Sequence, residues 1–171
     1  MKHRLLAGIG LAVAIAAVGA SPPSRAGESD YIGLFGGLWV GSGVVVKDAV
    51  SWQVQCRAEG RTGTNRVTIG GNCNLSVISV TIGADITFDP ASGRYAGTYI
   101  GAKVGQAQVS GRRDGDVVNL VITWPKPVHG DTLARMTISN AGSGTVRIVI
   151  FDNVIPGGPE QGTSDLSLTQ N

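Results

Sequence analysis

From residue 37 onward the chain reads as short runs of alternating apolar and polar residues, separated by glycine and polar turn residues. In Asp116–Trp124, the residues Val118, Leu120, Ile122 and Trp124 fall on one face, with Asn119 and Thr123 on the other. Ala134, Met136 and Ile138 alternate with Arg135, Thr137 and Ser139. Val146, Ile148 and Ile150 do the same, with Thr145 and Arg147 facing away. One apolar and one polar face per strand is the pattern of antiparallel sheet with one side buried. The runs lie at 37–46, 50–58, 65–70, 74–82, 84–89, 94–102, 103–111, 116–124, 132–140, 144–152 and 165–170. Between Asn74 and Phe88 the alternation slips by one residue, which predicts a bulge near Val77–Ile78, with Gly83 allowing a bend. No stretch after residue 26 sustains helical spacing.

The turns between the runs favour hairpins. Asp89-Pro90-Ala91-Ser92-Gly93, Arg113-Asp114-Gly115-Asp116 and Asn140-Ala141-Gly142-Ser143-Gly144 each place glycine beside polar turn formers. Residues 157–162 read as an exposed loop before a last short strand. About eight to ten such strands in one short chain fit an all-β, single-domain, antiparallel up-and-down barrel, because closure removes the exposed edges. A β-sandwich is the alternative, weakened because Cys56 and Cys73 stand too close in sequence to pin two sheets through a buried Trp. An echo links Phe35-Gly36-Gly37-Leu38-Trp39-Val40-Gly41 to Tyr95-Ala96-Gly97-Thr98-Tyr99-Ile100-Gly101, in the order aromatic, x, Gly, x, aromatic, x, Gly. Glycine beside an aromatic on one face lets a ring lie over bare backbone. Two related half-barrels, or two strands meeting one packing demand, explain the echo equally well.

The first residues differ from the rest. Lys2, His3 and Arg4 precede an uncharged apolar run, Leu5–Ala20, then Pro22-Pro23 and small residues before Gly27. Residues 1–26 read as a secretory signal, with cleavage after Ala26 or Ala20, because the apolar run is shorter than the roughly 20 residues a spanning helix needs. Residues 27–36 then form an N-terminal segment and 37–171 the barrel domain. The expected location is periplasmic or secreted. Removing Lys2, Arg4 and Arg25 from 14 basic residues leaves 11 against 12 acidic ones, a net charge of −1. Such a near-neutral chain has no overall electrostatic footprint for nucleic acid or anionic lipid. Twenty-six glycines with 15% charged residues exclude a coiled coil and a charge-rich disordered chain. The two cysteines, Cys56 and Cys73, predict a structural disulfide in an oxidising compartment. Metal ligation fails on spacing, with no CxxC and His129 the one histidine after the leader.

Gly37-Leu38-Trp39, a Gly-x-Trp opening the first strand, resembles the start of lipocalin and wider calycin barrels. The resemblance implies a Trp that closes one barrel end under an Arg from the last strands. Arg147 is the position that matches, with Arg135 second. No Thr-Asp-Tyr motif accompanies it, and the cysteines join nearby strands. The chain also looks like the small disulfide-bearing barrels that inhibit bacterial metalloproteases.

Residues with chemistry are few. His129-Gly130-Asp131 sets an imidazole near a carboxylate, without a second His or a Gly-x-Ser-x-Gly nucleophile. Asp114 and Asp116 flank a turn glycine and lack the further oxygen ligands of a calcium loop. Gly41-Ser42-Gly43 has no following helix to present to a phosphate. The aromatics Trp39, Tyr95, Tyr99 and Trp124 either fill the core or line a cavity at the barrel mouth. The expectation is a monomeric, cofactor-free, non-enzymatic barrel without a membrane span, holding a small, largely apolar ligand among these rings. The rival is an envelope protein-interaction module, such as a protease inhibitor, acting through Gly27–Phe35. An enzyme using His129 and Asp131 is the third.

Overall fold

Each strand pairs antiparallel with the next, and the last returns to the first, in a computed structural model that describes residues 25–47, 49–101, 104–128 and 130–171. One helix, α1 (Arg25–Gly33), precedes ten strands: β1 (Gly37–Lys47), β2 (Val50–Thr62), β3 (Arg66–Leu75), β4 (Ile78–Asp89), β5 (Arg94–Ile100), β6 (Ala107–Asp114), β7 (Val117–Val128), β8 (Asp131–Asn140), β9 (Thr145–Asn153) and β10 (Glu160–Gln170). Closure of β1 on β10, from Trp39↔Gln170 to Val45↔Ser164, makes the sheet a barrel and excludes the sandwich.

The predicted faces set the core. Val118, Leu120, Ile122 and Trp124 point inward and are buried, as are Ala134, Met136, Val146 and Ile150. The outward positions carry residues such as Gln53, Gln55, Arg57 and Glu59 on β2, and Asn72 and Asn74 on β3. A polar wall around an apolar interior is the reverse of a lipid-embedded barrel. No helix among the described residues is long and apolar enough to cross a membrane.

Glycine shapes the wall where neighbouring backbone leaves no room for a side chain. A Cβ on Gly41 would lie 2.0 Å from the Ser167 carbonyl oxygen, and one on Gly97 would lie 2.0 Å from that of Asp85. The bare backbone lets neighbouring strands approach there. The echo does not describe two equivalent strands. Phe35 lies in the link before β1, whereas Tyr95 lies within β5. The ring-over-glycine part of the idea does hold at Tyr99, whose hydroxyl occupies the space a Gly101 side chain would need.

Three boundaries depart from expectation. The phase slip at Val77–Ile78 is a chain reversal rather than a bulge: Leu75 pairs with Ile78, and Ser76 takes a positive φ of 53° in the turn. The alternation restarts there because a new strand begins. The run at 65–70 and the first two residues of the run at 74–82 fuse into β3 through Gly70-Gly71, while the rest of that run joins 84–89 across Gly83 as β4. The final strand begins at Glu160, inside the expected loop, and a register shift between Gly162 and Ser164 bridges the two parts.

The barrel has a closed and an open end. The β2–β3, β4–β5, β6–β7 and β8–β9 turns lie at the end where α1 packs. The other hairpin connections surround the opposite mouth. Tyr31, Ile32 and Phe35 are buried in the core, so Gly27–Phe35 is a plug and not a protruding segment.

Candidate functional site

The plug is held by a cluster of polar side chains. Glu28 on α1 is buried, and Arg113 at the end of β6 reaches it with Nη2 at 2.6 Å from Oε2 and Nε at 3.0 Å from Oε1. The Tyr95 hydroxyl also donates to Glu28. The Arg113 guanidinium lies 4.6 Å from the Tyr31 ring centroid, and the Tyr31 hydroxyl donates to the Asp116 carbonyl at 3.2 Å. Burial works to raise the Glu28 pKa, but hydrogen bonds from Arg113 and Tyr95 and the Arg113 charge outweigh it and leave it lowered. Burial pushes Tyr31 up to about 12 and, together with the Glu28 contact, raises Tyr95 further.

Above the plug lies an apolar cavity of about 80 Å³. Tyr31, Ile32 and Phe35 floor it, and inward residues of the wall, including Ala84, Tyr99 and Met136, surround it. Several of these inward side chains are only partly buried even though they face the interior, because the void leaves them uncovered on one side. Burial raises the Tyr99 pKa to about 12.

Of the predicted ligand-binding residues, Tyr95 and Tyr99 line this cavity. Trp39 and Trp124 do not. Trp39 is buried at the closed end, where its indole N–H donates to the Phe35 carbonyl at 3.0 Å and ties the plug's exit to β1. Trp124 is buried toward the mouth, 6.0 Å from the Tyr99 ring, and donates to Asp152 at 3.1 Å.

The Trp39–Arg147 pair is not formed. Arg147 pairs across the wall with Ser167, and Ser167 with Ser42, all on the outward face, whereas Trp39 points inward. Arg147 is exposed and joins Asp165 at 2.7 Å. Arg135, the second choice, is also exposed and pairs with Glu160. The predicted disulfide is present: Cys56 and Cys73 are direct cross-strand partners on β2 and β3, facing inward.

His129 lies outside the described residues. Both Asp131 carboxylate oxygens are engaged locally, by the Leu133 amide at 3.0 Å and the Asn153 side-chain amide at 2.7 Å. Glu28 and Arg113 were absent from the sequence-based candidates. One signal existed: Arg113 shares its face with Ala107 and Val109, so strand phase placed a cation inward, where it needs an acid.

No protein-family model matches the chain, and no curated protein matches it. Among solved structures it is similar to the crystal structure of Rv2717c from M. tuberculosis, with a TM-score of 0.64 at 12% sequence identity, over 83% of this chain and 96% of that one. At that identity the likeness shows a shared barrel fold alone.

Proposed function

We propose that the chain is an exported binding protein that holds a small apolar ligand inside the barrel. The observation that carries this reading is the apolar cavity of about 80 Å³ between the helical plug and the mouth, with Tyr95 and Tyr99 on its wall. Ligand pockets for drug-sized molecules span ~300–1,000 Å³, and an engineered apolar void of about 150 Å³ takes benzene. The ligand is therefore smaller than benzene, or one end of a longer apolar molecule threaded from the mouth. The lining is apolar throughout, and the Tyr31 and Tyr95 hydroxyls are turned away to Asp116 and Glu28, so the ligand is held by apolar contact.

Export rests on the basic start, the apolar run Leu5–Ala20 and the inward disulfide, which suits an oxidising compartment. Cleavage after Ala20 leaves α1 whole, whereas cleavage after Ala26 trims its first two residues and keeps Glu28. The calycin-like reading draws on Trp39, near the start of β1 and buried at the plugged end, and it departs from that family in lacking the Arg partner. The protease-inhibitor alternative loses its motive, since the segment it needed is the plug.

The test uses the chain from Ser21, which retains every described residue. Native mass spectrometry and thermal melting are run against short alkanes, aromatics and alcohols. A bound ligand at about one hundred times its Kd stabilises by ~2.7 kcal/mol. Ala84→Leu, which projects about three extra carbons into the cavity, keeps the fold and abolishes the shift. If no apolar compound shifts the wild type, or if the filled variant responds equally, the reading fails.

A further inference from the structure

Three tyrosines border the cavity, and their hydroxyls are not alike. Tyr31 donates to the Asp116 carbonyl and Tyr95 to Glu28. Among the described residues the Tyr99 hydroxyl has no protein hydrogen-bond partner. Burial alone raises its pKa to about 12, with no hydrogen bond or charge contributing. A hydroxyl taken out of water without a partner is destabilising, and phenylalanine would fill the same space without that penalty.

The position of this hydroxyl gives it a use. Tyr99 is the last residue of β5 to line the cavity before the strand ends at Ile100 and the chain turns at the mouth. Its ring leans over Gly101, where an added Cβ would come within 1.8 Å of the hydroxyl oxygen. The oxygen therefore stands on the side of the cavity nearest the mouth. It is not sealed in: among the described residues every fully enclosed side-chain oxygen or nitrogen has a partner, so an unpartnered one keeps contact with open space. The neighbouring ring, Trp124, lies 6.0 Å away with its N–H committed to Asp152.

We infer that Tyr99 selects the ligand, its hydroxyl bonding one oxygen on a small, uncharged and otherwise apolar molecule whose body fills the cavity. A few placed polar groups commonly orient a ligand in an apolar pocket. The phenol donates to a ketone, aldehyde or ether oxygen, and can also accept from an alcohol. Hydrocarbons enter without this contact. Charged molecules are excluded, because the lining offers no counter-ion. This inference rests on the binding reading above and adds the ligand's polar group to it: the body is held by apolar contact, and the bond at Tyr99 sets which body is preferred.

The experiment titrates the chain from Ser21 and its Tyr99→Phe variant with 2-butanone and with 2-methyl-1-butene, which matches it in shape but carries C=CH2 in place of C=O. Tyr99→Phe should melt no lower than the wild type, since the hydroxyl it removes has no protein partner. It should weaken 2-butanone roughly three- to tenfold and leave 2-methyl-1-butene unchanged. Isotope-edited infrared spectra of bound 2-butanone should place the carbonyl stretch lower in the wild type than in a hydrocarbon solvent, and higher again in Tyr99→Phe. If the alkene binds but Tyr99→Phe weakens both compounds equally or neither, the inference is overturned while the binding reading stands. A wild-type carbonyl stretch at its hydrocarbon-solvent frequency overturns it without recourse to the variant. If neither compound binds the wild type, both the inference and the reading beneath it are lost.

Discussion

Replacing Glu28 with alanine removes the carboxylate on which the plug's polar contacts converge. Arg113 then loses hydrogen bonds of 2.6 and 3.0 Å, and the Tyr95 hydroxyl loses its acceptor. Stranding one member of a buried ion pair costs about 3–5 kcal/mol. The Arg113 side chain is 23% exposed and keeps a 2.7 Å bond to the Gly115 carbonyl, so water recovers part of that loss. The expected cost is therefore at the low end, about 3 kcal/mol, a large share of the ~5–15 kcal/mol that holds a typical domain. Urea unfolding followed by circular dichroism measures it. The Glu28→Ala/Arg113→Ala double mutant should be less destabilised than the sum of the singles by at least about 1 kcal/mol, because the two side chains share one interaction. The pH dependence gives a second arm. The folded-state pKa of Glu28 lies below its usual 4.5, so its stabilisation is complete above that value and is lost as pH falls through the folded-state value. Glu28→Gln should flatten the acid limb of the stability curve. A loss under about 0.5 kcal/mol, or purely additive singles, would refute the idea that this pair anchors the plug.

Two further outcomes follow from the same geometry. All three tyrosines of the chain have raised pKa values, Tyr31 and Tyr99 to about 12 and Tyr95 beyond that, so the folded barrel holds them neutral. Stability is then intact below the ordinary value of 10.0 and falls as pH climbs toward 12, and phenolate absorbance should rise in one cooperative step with unfolding. Stepwise ionisation in a barrel that stays folded would contradict this. Gly97→Ala sets a Cβ 2.0 Å from the Asp85 carbonyl oxygen and should cost about 1–3 kcal/mol or more, read by thermal melting; a neutral result would mean the wall yields there.

The strands of the second half were legible because each meets the core on one face only, so burial writes itself into the sequence as alternation. The same alternation already carried the correction to the Trp39–Arg147 pair. Arg147 falls between inward Val146 and Ile148, so it faces outward and cannot meet an inward tryptophan two strands away. The plug was not legible. Its nine residues, Arg25–Gly33, are too few for a helix to hold alone, and they fold because Tyr31, Ile32 and Glu28 find partners in the barrel. The Glu28–Arg113 contact spans 85 residues of sequence, a separation at which local pattern carries no signal about the partner. The cavity was invisible for a related reason: whether facing rings meet or leave a void depends on strand tilt and closure, which alternation does not encode.

Diffraction from a crystal pressurised with xenon addresses the interior most directly, since the gas enters apolar voids without needing hydrogen-bond partners. The expected result is xenon density between the Phe35 ring, Ala84 and Met136, absent in an Ala84→Leu crystal. A wild-type crystal with no xenon there, and with side chains closed over that space, would contradict a ligand-holding barrel.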